Sequence, residues 1–223
     1  MYSDNELETL SKKLNKHLEN QDKNWTSFIF SKNKKYYQSF LALNIDGERS
    51  TENRIKQYKL NSYLSHEKTA LDIGCNSGFF SLIISDNLKK IDGVEINPFL
   101  IDMGNEVKQF INNTNCSFFV TSFEEYFSDK KYDLIFSLAN DETIDGNTKF
   151  TFEEYIEKIF HLLLRNGILI FESQAADAYN KNKFKPKLEF LLEKFNILEE
   201  RIVSSEYPIN VPNRIFMILK KKT

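Results

Sequence analysis

Apolar residues recur along this chain at two different periods, and the change of period near Lys68 divides it. In residues 4–20, Leu7, Leu10, Leu14 and Leu18 fall three and four positions apart, the stripe of an amphipathic helix. A polar stretch at 21–24 precedes an aromatic-rich segment containing Trp25, Phe28, Phe30, Tyr36, Tyr37, Phe40 and Leu41. A second helix is predicted from about residue 51 to 64, with Ser50 or Thr51 as its cap.

From Lys68 the apolar runs shorten to strand length, at 69–73, 91–95, 117–121, 132–138 and 168–172. Helical patterns at 79–88, 98–112, 123–127 and 152–164 separate them. Alternation of this kind predicts βαβ units and a parallel sheet covered on both faces. Gly167 stands where a helix should stop and a strand begin. The tail reads as a helix at 187–195 and strands at 197–203 and 214–219. The connection between those strands, with Pro208 and Pro212, is too short for a comfortable helical crossover, so they should pair antiparallel. The fold class expected is therefore α/β: a Rossmann-like, seven-stranded, mostly parallel sheet with helices on both faces and an antiparallel last strand. Residues 1–66 are expected to form a helical N-terminal cap on a domain at 67–223.

Composition narrows the picture modestly. The formal charge of −2 comes from nearly balanced basic and acidic residues, so no global field recruits nucleic acid or an anionic membrane. Cys75 and Cys116 are the two cysteines, too few and too far apart for a disulfide framework. The first 24 residues are polar throughout, and no apolar run approaches the roughly 20 residues that span a bilayer. The chain reads as cytoplasmic, with no membrane partner. His17, His66 and His161 lack metal-ligand spacing, so no metal is expected.

The chemistry concentrates in Ala70-Leu71-Asp72-Ile73-Gly74-Cys75-Asn76-Ser77-Gly78-Phe79-Phe80, a buried strand, a tight turn and a helix start. Gly74 permits a backbone path and a close approach that a side chain would forbid. Glu95 follows Gly74 by twenty-one residues and ends the next strand, where a carboxylate can accept from ribose hydroxyls. A dinucleotide site would want a second glycine where Asn76 stands, and Asp72 would repel the diphosphate. An acid suits the cationic sulfonium and amino groups of S-adenosylmethionine (SAM). The charge decides for SAM.

Asp72-x-Gly74-x-x-x-Gly78 followed by Glu95 resembles the first two motifs of class I SAM-dependent methyltransferases, and the resemblance covers roughly residues 68–219. It implies that Gly74, Cys75, Asn76, Gly78 and Phe79, with Asp72, surround the methionine part of the cofactor. It implies also that Glu95 holds the ribose, that Ile96 packs on the adenine, and that Ser122 and the Phe123 backbone stand where the family contacts the adenine amino group. Tyr132 to Glu142 resembles the fourth motif, placing Leu138 to Glu142 over the reactive methyl, with Asp141 or Glu142 as the candidate catalytic base. Upstream, Asn44-Ile45-Asp46-Gly47-Glu48-Arg49-Ser50-Thr51-Glu52-Asn53-Arg54 is similar to the segment preceding this domain in wobble-uridine tRNA carboxymethyltransferases. That family uses a SAM derivative, and the similarity makes Arg49 and Arg54 cofactor-binding candidates, Arg54 through its bidentate fork.

The sequence thus points to methyl transfer from SAM to a small-molecule or glycan-linked acceptor under the cap, with Trp25, Tyr36 and Tyr37 as candidate pocket walls. Modification of a tRNA base and a non-catalytic SAM-binding regulatory subunit are the alternatives.

Overall fold

The computed structural model describes residues 2–27, 36–142, 148–204 and 212–223. Phe28, Phe30, Pro208, the basic run at 32–35 and the part of the expected active-site loop at 143–147 lie outside the described residues.

Helix α1 (Asp4–Asn24) begins at a capping box, in which Ser3 and Glu6 satisfy each other's backbone amides. Leu10, Leu14 and Leu18 are its buried face, and it packs on α4 (Pro98–Phe110). Two short strands, β1 (Tyr36–Gln38) and β2 (Gly47–Arg49), pair in parallel, a feature absent from the periodicity because each has three residues. Gly47 is obligatory there: a Cβ would stand 2.4 Å from the Gln38 carbonyl carbon. Helix α2 (Thr51–Tyr58) is capped by Ser50, which accepts from the Asn53 amide at 3.2 Å. It ends earlier than the pattern predicts, because Lys59 turns left-handed with φ of 49°.

The seven-stranded sheet contains β3 (Thr69–Ile73), β4 (Lys90–Glu95), β5 (Cys116–Val120), β6 (Tyr132–Leu138), β7 (Leu163–Glu172), β8 (Phe195–Ser204) and β9 (Asn213–Lys221). Their order is β5-β4-β3-β6-β7-β9-β8. The first five are parallel, and β9 runs antiparallel to both β7 and β8. Around it lie α3 (Phe79–Ile84), α4, α5 (Phe152–Leu162), α6 (Ala175–Tyr179) and α7 (Lys181–Lys194).

Alternation along the strands fills two cores. Leu134, Phe136 and Leu138 of β6 join Phe216 and Ile218 of β9 on one face, while Ile135, Met217 and Leu219 face the other. Leu10, Leu14, Leu18, Phe40 and Tyr58 of the N-terminal segment belong to the first of these cores, together with Ala70, Phe79 and Phe80. The segment expected as a cap therefore shares apolar burial with the sheet domain.

Three expectations need correction. Residues 123–127 make one turn, closed by the Tyr126 amide donating to the Ser122 carbonyl, and no helix. Gly167 lies within β7, which starts at Leu163 straight after α5, with an irregular register against β6. The last helix starts at Lys181 and is preceded by α6, neither of which the apolar spacing marks. Among the described residues, no helix is long and apolar enough to cross a membrane.

Candidate active site

The C-terminal ends of β3, β4 and β6 open into a pocket with about 530 Å³ of empty space including its mouth. Open parallel sheets hold ligands at this edge, where the strand order reverses between neighbours. Asp72, Gly74, Asn76, Glu95, Leu138, Arg49 and Arg54 all line it, together with Tyr37, Gln38, Phe80, Ala139 and Asn140.

Gly74 has φ of 61°, and a Cβ there would stand 2.7 Å from Oδ1 of Asn140. The turn is thus closed to any side chain. Asn76 continues it in the left-handed region with φ of 56°. Its amide donates to Glu95 at 3.1 Å, while the Asn97 amide donates to the other Glu95 oxygen at 3.0 Å. A carboxylate can accept up to about four hydrogen bonds, and a ribose diol is matched by such an acceptor. The donor set therefore fits an adenosyl group bound across the ends of β3 and β4.

Asp72 is buried and accepts from the Ser81 hydroxyl at 2.5 Å. Burial pushes its carboxyl up to about 7, against the opposing influence of Ser81 and Arg54. A cationic ligand beside it would restore its ionised form. Across the pocket, the Leu138–Ala139 corner ends β6, and Ala139 is left-handed with φ of 64°. Strain of this sort in a residue other than glycine gathers at ligand-binding turns. Its amide donates to the Glu172 carbonyl at 2.9 Å, and Gln174 donates to its carbonyl at 2.6 Å.

The arginines are not solvated, as residues on an amphipathic helix usually are. Arg49 and Arg54 are 2% and 4% exposed and converge on Glu172, the fully buried last residue of β7. Arg49 and the Tyr58 hydroxyl each donate to one Glu172 oxygen. Arg54 donates through Nε to the Tyr58 hydroxyl at 2.8 Å, with its Nη2 4.0 Å from Glu172. Burial alone would raise the Glu172 carboxyl, but the two guanidiniums outweigh it and hold it below the usual range.

Sequence reasoning missed Gln38, as it missed Glu172 and, as individual candidates, the lining residues Phe80, Ala139 and Asn140. Gln38 Oε1 accepts from the Phe79 amide at 2.9 Å and from Ser77 Oγ at 3.3 Å, and its Nε2 donates to the Cys75 carbonyl at 3.2 Å. It thus caps α3 from another part of the chain, where Gly78 offers no side chain. The one signal for it is a polar residue inside the aromatic run Tyr36-Tyr37-Gln38-Ser39-Phe40.

Other candidates lie away from this lining. Cys75, Gly78 and Phe79 pack behind the loop: Cys75 is buried with its thiol pushed well up by burial, and a Cβ on Gly78 would strike Phe118. Ile96 is half-buried past the end of β4, outside the lining. Ser122 accepts from the Glu125 amide at 3.1 Å, and Phe123 is buried edge-on against Tyr155. Of the aromatic candidates, Tyr37 lines the pocket, whereas Tyr36 donates to Asn15 at 3.0 Å. The expected base is the largest departure. Asp141 and Glu142 sit 2.6 Å and 2.9 Å from Lys187 Nζ, which also reaches Asp177 at 3.0 Å. Burial pushes Asp141 up to about 6, opposed by Lys187, and the carboxylate is committed to that ammonium outside the pocket.

A family model described as a methyltransferase domain matches residues 64–208. Malonyl-[acyl-carrier protein] O-methyltransferase 1 of Ilyobacter polytropus is 28% identical over 159 residues, 67% of this chain and 56% of that protein. A second enzyme of that name and organism, numbered 2, is 32% identical over 149 residues, 62% of this chain and 54% of its own length. The chain thus spans about half the length of these curated relatives. The N-methyltransferase NodS of Bradyrhizobium japonicum WM9, solved in complex with S-adenosyl-L-homocysteine (SAH), superposes with a TM-score of 0.62 at 16% identity. That match covers 96% of this chain and 99% of NodS, and it speaks for the fold. With the family model spanning well over half of its residues, the chain belongs to the methyltransferase-domain family, the class I SAM-dependent methyltransferases.

Proposed function

We propose that the protein catalyses methyl transfer from SAM to a small-molecule or glycan-linked acceptor entering between residues 1–66, acting as a cap, and the loop after β6. The observation that carries this reading is the convergence of Gly74, Asn76 and Glu95 in one pocket, tied by the 3.1 Å bond from the Asn76 amide to Glu95. In this reading Glu95 receives the ribose hydroxyls, and the Gly74–Asn76 backbone borders the methionine part. Asp72 faces the cationic end, while Arg54, whose charge is felt by Asp72, takes the cofactor's carboxylate.

SAM supplies a methyl group already activated for displacement by its sulfonium. The protein's task is alignment and exclusion of water. Leu138 and Phe80 give the pocket apolar walls, and Tyr37 and Gln38 close it from the N-terminal side. The relatives act on different atoms, an O-methyltransferase in one case and an N-methyltransferase in the other, so the acceptor has to be argued from this pocket.

Calorimetry with SAH tests the reading. A dissociation constant of about micromolar order, some ~8 kcal/mol, is expected. No heat with SAH or SAM, together with clear binding of NAD, would overturn it. Turnover of SAM with an acceptor separates an enzyme from a SAM-binding regulatory subunit.

A further inference from the structure

Glu95 is suspended between two loops. One of its oxygens accepts from the Asn76 amide at 3.1 Å, in the glycine loop after β3, and the other from the Asn97 amide at 3.0 Å, at the start of α4. Each loop is tied in turn to the segment before β3 by a buried glutamine. Gln21 Oε1 accepts from Asn97 Nδ2 at 2.7 Å. Gln38 meets the residues on both sides of Asn76, donating to the Cys75 carbonyl and accepting from Ser77 Oγ.

Packing alone does not call for either amide. Gln21 stands three residues after Leu18 and continues the buried stripe of Leu10, Leu14 and Leu18 on α1. A leucine would suit that stripe better, because an amide withdrawn from water costs free energy unless it is hydrogen bonded. Gln38 interrupts an aromatic run in the same way and is also buried. The two come from separate elements, the last turn of α1 and the end of β1. Both nevertheless aim their hydrogen bonds at the two loops whose amides hold Glu95.

From this convergence, and resting on the methyltransferase reading above, we infer that Gln21 and Gln38 are positioning residues that make the docked N-terminal segment part of the SAM site. Gln21 lies outside the pocket lining and acts through Asn97 on Glu95. Gln38 borders the pocket and holds the backbone around Asn76. A docked segment fixes the Glu95 carboxylate for the ribose. By linkage, a bound cofactor must tighten the docking of α1 and β1 by the same factor.

Trp25, the chain's single tryptophan, reports on this coupling. It is half-buried at the end of α1, outside the pocket lining, and its amide donates to the Gln21 carbonyl at 2.9 Å. Titration of the full chain with SAH should change the Trp25 emission and saturate at the dissociation constant given by calorimetry. Gln21→Met keeps length and apolar packing but removes the acceptor, so it should weaken SAH binding about fivefold and remove most of the emission change. Asn97→Ser retains a cap for α4 but cannot reach Gln21, and it should weaken SAH binding to a similar extent. The double variant should be no weaker than the weaker single one, because both changes break the same bond. Gln38→Met removes bonds to the other loop and should weaken SAH binding about tenfold.

A role confined to packing predicts lower resistance to urea with unchanged SAH affinity. Emission that stays constant while calorimetry registers bound SAH overturns the inference. So do a full emission change in Gln21→Met, additive losses at Gln21 and Asn97, or folded glutamine variants that bind SAH like the parent. The titration of the parent needs no variant, so misfolding of a variant does not shelter the proposal. Failure of SAH to bind the parent protein would instead overturn the methyltransferase reading itself.

Discussion

Two buried ion clusters flank the C-terminal edge of the sheet, and they are opposites. In one, the anion Glu172 sits among Arg49, Arg54 and Tyr58. In the other, the cation Lys187 sits among Asp141, Glu142 and Asp177. An ammonium has three donors, and Lys187 has an acid within 3.0 Å for each, so its charge is matched, while one oxygen each of Asp141 and Asp177 keeps no hydrogen-bond partner among the described residues. A guanidinium has five, and Arg49 keeps a buried Nε without a hydrogen-bond partner among the described residues. The lysine cluster holds elements together: α6 and α7 are pinned to the residues following β6. The arginine cluster ties β2 and α2 to the end of β7, and both of its guanidinium residues line the pocket.

The largest effect should come from breaking the lysine cluster. Lys187→Met leaves buried carboxylates without their cation and should cost about 3–5 kcal/mol in urea unfolding. A loss below about 1 kcal/mol would mean that the cluster is solvated and the contrast is false.

The next effect belongs to the pocket. Glu95→Ala should weaken SAH binding by about 1.5–3 kcal/mol, the range for hydrogen bonds to a charged group, with unfolding little changed. Unchanged affinity in a folded variant would remove Glu95 from the site.

Asp72 gives a smaller, graded effect. Its folded-state carboxyl lies at about 7, above its unfolded value. Between about pH 4 and 7 the folded protein therefore holds a proton that the unfolded chain has lost, and its contribution to stability falls as pH rises. A cationic cofactor favours the ionised form, so below about pH 7 binding must expel that proton. SAM affinity should rise by up to tenfold per pH unit toward about pH 7 and then level. Calorimetry at pH 6 in two buffers of different ionisation enthalpy should register about one proton released. Affinity flat from pH 5.5 to 8 would contradict this assignment.

The smallest effect is the sharpest test of the comparison. If Asp141 is structural, Asp141→Asn should lower kcat by less than about tenfold, whereas removal of a general base costs about 10²–10⁴-fold. A loss in the latter range, in a folded variant, would return Asp141 to catalysis.

The sheet was legible because buried parallel strands write themselves as short apolar runs, and β3 and β6 have the bounds that their patterns predict. The glycine loop and Glu95 were legible because a tight turn and an acid at a strand end are local features. Glu172 was not, since its partners are Arg49, Arg54 and Tyr58, more than a hundred residues away, and nothing local distinguishes it from other strand-end acids. Gln38 was hidden for the same reason: its work is to cap a helix forty residues further on. Asp141 shows the converse. It stands at the motif position that suggests a base, and only the fold brings Lys187 onto it. Residues at 123–127 misled because Phe123 and Tyr126 stand three positions apart, as on one face of a helix, yet are core residues on a single turn.

A crystal structure of the SAH complex is the decisive measurement for the placement of the nucleoside across β3 and β4. The ribose hydroxyls should lie within about 3 Å of the Glu95 carboxylate. The sulfur should face the Leu138–Asn140 corner, and the amino-acid carboxylate should point to Arg54. A nucleoside bound elsewhere, with Glu95 facing solvent or the sulfur on the far side of the sheet from Arg49, would contradict it.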